Sequence, residues 1–92
     1  MWRFDWDPRK ARANERKHGV QFEEAVTCFW DPKQVAFFDP DHSDEEDREL
    51  LIGHSETGRL LLVSYTLRGE SIRIISARRA TRKEAQDYAQ GL

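Results

Sequence analysis

Residues 59–79 read RLLLVSYTLRGESIRIISARR, and this stretch decides the fold. Two β-rich runs, Arg59 to Leu67 and Glu70 to Arg79, flank Arg68-Gly69. A short glycine-containing connection between such runs marks an antiparallel hairpin. Leu60 to Val63 is apolar without alternation, which predicts a central strand covered on both sides. The second run alternates. Its pattern predicts Ile72, Ile74, Ser76 and Arg78 on one face and Arg73, Ile75, Ala77 and Arg79 on the other. Its first half is apolar and its second half rich in arginine, so its C-terminal end is expected to reach solvent or a ligand.

Working upstream, Glu56-Thr57-Gly58 joins a further strand, Arg48 to Ser55, to the hairpin. Gln34 to Phe38 predicts a short strand, and Trp2 to Asp5 a short edge strand. Asp39 to Asp47 is an acidic loop. Asp7-Pro8 starts a helix, because Asp accepts backbone N–H bonds at a cap and Pro loses nothing at the first helical position. That helix runs from Pro8 to His18 and stops at Gly19. It is strongly polar, with Ala11 and Ala13 as its only apolar stripe, so it packs weakly or binds something. Gln21 to Phe29 predicts a second helix with Phe22, Ala25, Val26 and Phe29 on one buried face, ended by Asp31-Pro32. Downstream, Thr81 and Glu84 form a capping box for a last helix, Arg82 to Gln90, with Ala85, Tyr88 and Ala89 toward the sheet. The expected fold class is α+β: a small antiparallel sheet with two N-terminal helices and one C-terminal helix.

The chain has 92 residues, 35% of them charged, and a formal net charge of −2. This length predicts one domain, residues 1–92. No apolar run approaches the roughly 18–20 residues that span a bilayer, so no membrane role is expected. The first residues lack a signal-peptide core, and the single cysteine, Cys28, excludes an internal disulfide framework. Together these predict a cytoplasmic protein. Net charge hides the layout. Residues 1–20 carry +3, residues 39–49 carry −6 and residues 67–83 carry +5. Five of the six cations in the last block are arginines, whose planar forks suit phosphate.

No phosphate-binding glycine loop, zinc-protease motif or nucleophile elbow is present. Asp39, Asp41, His42 and Asp44 could be drawn as a metal site, but a solvated loop is the ordinary explanation. His18 lies at a helix C-terminus, where the dipole favours a cation. It reads either as a capping residue or, with Lys17, as a proton donor or phosphate contact. His54 reads as a surface strand residue or a catalyst. Arg73, Arg78 and Arg79 with Tyr65 and Tyr88 form the richest cluster, since arginines hold phosphates and aromatics stack bases. The bland alternative pairs Arg78 and Arg79 with Glu84, Asp87 or the acidic loop.

Several stretches together carry a resemblance. They are Phe4-Asp5-Trp6-Asp7, Lys17-His18-Gly19-Val20, Phe22-Glu23-Glu24-Ala25, Gly53-His54-Ser55, Gly58-Arg59, Tyr65-Thr66 and Ile72 through Ala80, with Glu84 and Tyr88. The sequence resembles the BrnT toxins of bacterial type II toxin–antitoxin pairs, in the wider RelE/ParE-like group. The resemblance implies a RelE-like ribonuclease that cleaves RNA and arrests translation and growth. It implies neutralisation by a BrnA-type ribbon-helix-helix antitoxin, the complex repressing its own operon, so that operator DNA is met only through that complex. It implies no cofactor and no metal.

On this reading Arg73 and Arg78 stabilise phosphate, and Lys17, His18, His54, Glu84 or Tyr88 handles protons. Arg59, Tyr65, Arg68, Arg79 and Arg82 contact RNA. The polar first helix and the exposed sheet face are the expected antitoxin-covered surfaces. The rival reading is a non-enzymatic module that inhibits a protein such as gyrase or only partners the antitoxin.

Overall fold

The structure is a computed structural model that describes residues 2–41 and 47–91. Its elements are β1 (Arg3–Asp5), α1 (Pro8–His18), α2 (Phe22–Thr27), a single 3-10 turn (Cys28–Trp30), β2 (Val35–Phe38), β3 (Arg48–His54), β4 (Leu60–Arg68), β5 (Ser71–Arg79) and α3 (Arg82–Gln90). The α+β class and every strand are as expected. The second helix is shorter than its apolar pattern suggests. The Thr27 hydroxyl donates to the Glu24 carbonyl (2.6 Å), a local bond that competes with regular helix, and the chain tightens into the 3-10 turn.

The sheet order is β1-β5-β4-β3-β2, which puts the apolar β4 at the centre. Pairings among β2 to β5 are antiparallel, whereas β1 runs parallel to β5 from Arg3↔Ser71 to Asp5↔Arg73. The sheet is therefore mixed at one edge, a pairing that closes over most of the chain and leaves no local mark.

A second departure matters more. Tyr65 pairs with Ile74 but Ser64 pairs with Ser76, so Ile75 is an extra residue in β5. This bulge shifts the alternation by one. Ile72, Ile74 and Ala77 are buried on the α1–α2 side. Arg73, Ser76 and Arg78 share the other face. The expected grouping of Ile74 with Arg78, and of Arg73 with Ala77, is corrected by the bulge.

The core lies between the sheet and α1–α2. Phe22, Leu51, Leu61, Ile74, Val20, Val63 and Cys28 are at most 1% exposed, and Phe4, Trp6, Val26 and Phe29 close its rim. Each large apolar side chain so buried contributes about 1.5–3 kcal/mol. Gly53 lets the 3-10 turn approach closely, because a Cβ there would stand 3.0 Å from the Cys28 carbonyl oxygen. Burial pushes the Cys28 thiol up to about 12, so it is an inert core group.

Two polar ties fix α1 and α2 to the sheet. The buried Asn14 amide donates to the carbonyls of Val20 (3.0 Å) and Ala77 (2.8 Å) and accepts from the Ala77 N–H (3.1 Å). Glu24 accepts from Arg59 Nε (3.0 Å) and Nη2, and from the hydroxyls of Ser55 and Thr57 (both 2.7 Å). The Arg59 bond foremost, helped by both hydroxyls, holds the Glu24 carboxyl at about 2 against an ordinary 4.5. A depressed carboxyl stabilises the fold above its unfolded value, and that contribution drains as pH falls from about 4.5 toward 2. Up to about 3 kcal/mol is at stake. Glu24→Gln should therefore flatten the acid limb of the stability–pH curve between pH 5 and 2, roughly, while lowering stability at neutral pH. Denaturant titrations across that range check it.

Candidate active site

The face opposite α1 and α2 is built row by row from the strand register. Arg48, Thr66 and Arg73 form one cross-strand row; Leu50, Ser64 and Ser76 form the next; Ile52, Leu62 and Arg78 form the third. The face thus carries three arginines over a floor of hydroxyls and aliphatic side chains. α3 closes one end of it and packs on β3. Between α3, β3 and β5 lies a cleft of about 410 Å³ lined by Arg48, Arg78, Ser64, Ser76 and Glu84, and also by Asp39 and Asp41.

The Thr81–Glu84 capping box that starts α3 also aims Glu84 at β5. Thr81 Oγ1 accepts from Glu84 N–H (3.2 Å), and Glu84 Oε1 accepts from Thr81 N–H (2.8 Å). Both Glu84 oxygens receive the Arg78 fork at 2.9 Å, and Arg78 Nη1 also donates to the Arg79 carbonyl (3.0 Å). Burial works to raise the Glu84 carboxyl, but Arg78 and Thr81 outweigh it and hold it below the ordinary range. Arg73 pairs with Asp5 at 2.9 Å at the β1 edge. It stands five residues from Arg78 along β5, roughly 15 Å away.

At the other end of α3, Tyr88 donates to Asp31 Oδ2 (2.7 Å) and lies 3.0 Å from His54 Nδ1. Asp31 Oδ2 also accepts from the His54 backbone N–H (2.8 Å). The single phenolic proton is given to Asp31, so His54 Nδ1 is the donor to the Tyr88 oxygen. That tautomer leaves Nε2 as an open acceptor on a side chain that is 48% exposed. Burial, then the bond to Asp31, pushes the Tyr88 phenol up to about 12 and keeps it protonated. Burial opposes ionisation of Asp31, yet the bonds from His54, Tyr88 and Lys33 hold its carboxyl low.

The structure thus brings Arg78 together with Glu84, and His54 with Tyr88, on one side of the sheet. The arginine cleft and the depression beside His54, which Asp31, Trp30 and Glu56 help to line, share no residue. Other expected site residues fall elsewhere. Lys17 and His18 sit in the last turn of α1, on the opposite side of the sheet. Tyr65, expected to stack on RNA, is 6% exposed and packs edge-on against Phe29, because the central strand turns it into the core. Arg59, expected to contact RNA, has Nε on Glu24 and Nη2 on Glu24 and the Gly19 carbonyl. It is a brace between the β3–β4 turn and the helices. Arg68, Arg79 and Arg82 are exposed. Arg79 lies on the α1 side, beside Arg59 and Ala80.

Of the drawn metal site, His42 and Asp44 lie outside the described residues. Among the described residues no group of three or more His, Cys, Asp or Glu side chains is placed to hold a metal ion. No helix among them is long and apolar enough to cross a membrane.

Sequence reasoning overlooked Arg48 and Asp31. Arg48 sits in an acidic stretch, and only the β3 register puts it on the arginine face, in a row with Thr66 and Arg73. Asp31 reads as the Asp-Pro end of a helix, and nothing local shows that Tyr88 reaches it from 57 residues away.

Comparison with known proteins bears on the fold and the family. A crystal structure of the Brucella abortus ribonuclease toxin BrnT, at 1.1 Å, superposes with a TM-score of 0.66 and 24% identity, covering 89% of this chain and 100% of that one. Among curated protein sequences none matches. The family model for the ribonuclease toxin BrnT of type II toxin–antitoxin systems matches residues 6–84. With that match running over most of its length, the chain belongs to the BrnT family of type II toxin–antitoxin ribonuclease toxins.

Proposed function

We propose that the chain is an endoribonuclease toxin that cleaves RNA without a metal ion and so arrests translation and growth in the cytoplasm. The observation that carries this reading is the chain Asp31–Tyr88–His54, which leaves His54 Nε2 as a proton acceptor on the same face as Arg73 and Arg78. Cleavage through the ribose needs an acceptor for the 2′-hydroxyl proton and cations around the phosphorane. In this mechanism His54 takes the proton, the attacking 2′-oxygen forms the bond to phosphorus as the bond to the 5′-oxygen breaks, and the leaving 5′-oxygen takes up a proton from water. Arg78 spreads the charge, and Arg73, at the far end of the same face, holds a neighbouring phosphate. Tyr88 and Asp31 position His54, and Glu84 positions Arg78.

Lys17 and His18, with the exposed outer side of α1, form the surface we assign to the BrnA-type ribbon-helix-helix antitoxin. Operator DNA is then met through that complex, which represses its own operon. Arg68, Arg79 and Arg82 supply outlying RNA contacts on this reading, and residues 1–92 act as a single RelE-like toxin unit.

The test is cleavage of a defined single-stranded RNA by the purified chain in EDTA. Cleavage should persist, yield a 2′,3′-cyclic phosphate, and vanish when the ribose at the cut site is 2′-deoxy. Activity lost to EDTA, or retained on the deoxy substrate, would sink the mechanism. Arg73 and Arg78 each carry a carboxylate partner, which also suits a protein-binding face. Inhibition of gyrase supercoiling with RNA left intact would favour that second reading.

A further inference from the structure

We propose that Arg48 is the primary phosphate anchor of the cleft between the sheet and α3, and that it holds one phosphodiester of single-stranded RNA. The inference deepens the ribonuclease reading and rests on it. Three other well-placed arginines are already engaged: Arg59 by Glu24, Arg73 by Asp5 and Arg78 by Glu84. At each of these a phosphate must first displace a carboxylate. Arg48 differs. It is half-buried and lines the cleft, and its Nε is shielded from solvent with no hydrogen-bond partner among the described residues.

A buried cationic donor left unmatched is costly, and native structures keep such groups where something else will match them. The Arg48 side chain lines the same cleft as Arg78, Ser64 and Ser76, so its guanidinium shares that space with a second guanidinium and two hydroxyls. That donor set is complementary to phosphate oxygens and needs no metal. The chemistry also limits the ligand. Asp39 and Asp41 line the same cleft, and their negative charge works against further phosphates, so the cleft takes one phosphodiester rather than a run of backbone. Thr66 reinforces the position. It is the cross-strand neighbour of Arg48, and its hydroxyl donates to the Asp47 carbonyl (2.8 Å), which fixes the start of β3 where Arg48 sits.

The experiment measures binding of a short single-stranded RNA with 2′-O-methyl riboses, which cannot be cut, across a salt series. Arg48→Ala should weaken binding about tenfold or more, as loss of a charge-assisted contact implies. It should also reduce the slope of log affinity against log salt by about 0.7, the value for one single-strand phosphate. Arg12→Ala, on the exposed side of α1, removes the same charge and should change neither. The melting temperature of Arg48→Ala should not fall, because no internal partner is orphaned. Arg48→Lys keeps the charge without the forked donor. It should keep the slope and lose several-fold in affinity, and it serves if the alanine variant folds poorly.

If the unaltered chain cleaves RNA while Arg48→Ala and Arg48→Lys bind as it does, the anchor is wrong and the ribonuclease reading stands. A fall in melting temperature with unchanged RNA binding would make Arg48 a structural tether, again overturning the anchor. If the unaltered chain neither binds nor cleaves RNA, the ribonuclease reading fails and the anchor with it.

Discussion

Arg78→Ala should slow RNA cleavage by the full chain about 10²–10³-fold, the usual loss on removing one preorganised group that meets transition-state charge. Arg78 is built for that role by its neighbours. The bulge at Ile75 turns it onto the α3 side, and Glu84 holds its fork with two bonds at 2.9 Å. An RNA phosphate can replace that carboxylate oxygen for oxygen, because both present paired anionic acceptors to one planar donor. Arg78→Lys keeps the charge but not the fork and should lose an intermediate amount. Glu84→Gln should retain more activity than Arg78→Ala, since it leaves the cation in place and only loosens it.

Removing Arg78 also leaves the Glu84 carboxylate half-buried with its Thr81 bond alone, so a stability loss of about 1 kcal/mol is expected. That is too small to mimic a hundredfold rate loss in a folded protein. Single-turnover cleavage, read beside thermal melts and antitoxin binding, separates the effects. Growth arrest lost with antitoxin binding kept is the expected pattern. Full activity in Arg78→Ala would remove the cleft from the mechanism.

What could be read along the chain was whatever depends on near neighbours. Asp7-Pro8 and Gly19 bound α1, and Thr81 with Glu84 starts α3, because caps act within one turn. The runs of Leu60–Val63 and Ile72–Ile75 were legible as strands for the same reason. The alternation along β5 was not, because a bulge depends on what the partner strand offers, and Ser64 and Tyr65 are ten residues or so upstream. The two halves of the site divide along this line. Arg78 and Glu84 are six residues apart, and their pairing was among the alternatives the spacing allowed. Asp31, Tyr88 and His54 come from the end of a 3-10 turn, a helix and a strand. Their union is set by the docking of α3 on β3, which packing decides and spacing does not. Arg59 and Tyr65 show the converse. A cation and an aromatic among basic residues suggested RNA, whereas a carboxylate from α2 and the phase of a central strand turned both inward.

Asn14→Leu should lower the unfolding free energy by about 3 kcal/mol, which for a chain of this size lowers the melting temperature by roughly 15 °C. Asn14 is the one buried polar residue of α1, and its amide stands where a longer β1 would go on pairing with β5. β1 pairs β5 only as far as Arg73. Beyond it the outward N–H and C=O of Ala77 would face a dry interface, and the Asn14 side chain bonds both, with its second amide proton on the Val20 carbonyl. Leucine fills similar volume and leaves all three backbone groups unmatched, each costing about 1 kcal/mol or more.

Asn14→Asp sharpens the point. Its carboxylate still accepts from the Ala77 N–H but meets the carbonyls of Val20 and Ala77 as a negative charge, so at neutral pH it should be at least as damaging as leucine. Its folded-state value should be raised by that contact, so stability should be regained as pH falls and the protonated acid donates one bond. Denaturant unfolding of both variants near pH 7 and pH 5 checks this. If Asn14→Leu melts like the unaltered chain, the edge of β5 is held by apolar packing alone and the amide bridge contributes nothing to docking α1.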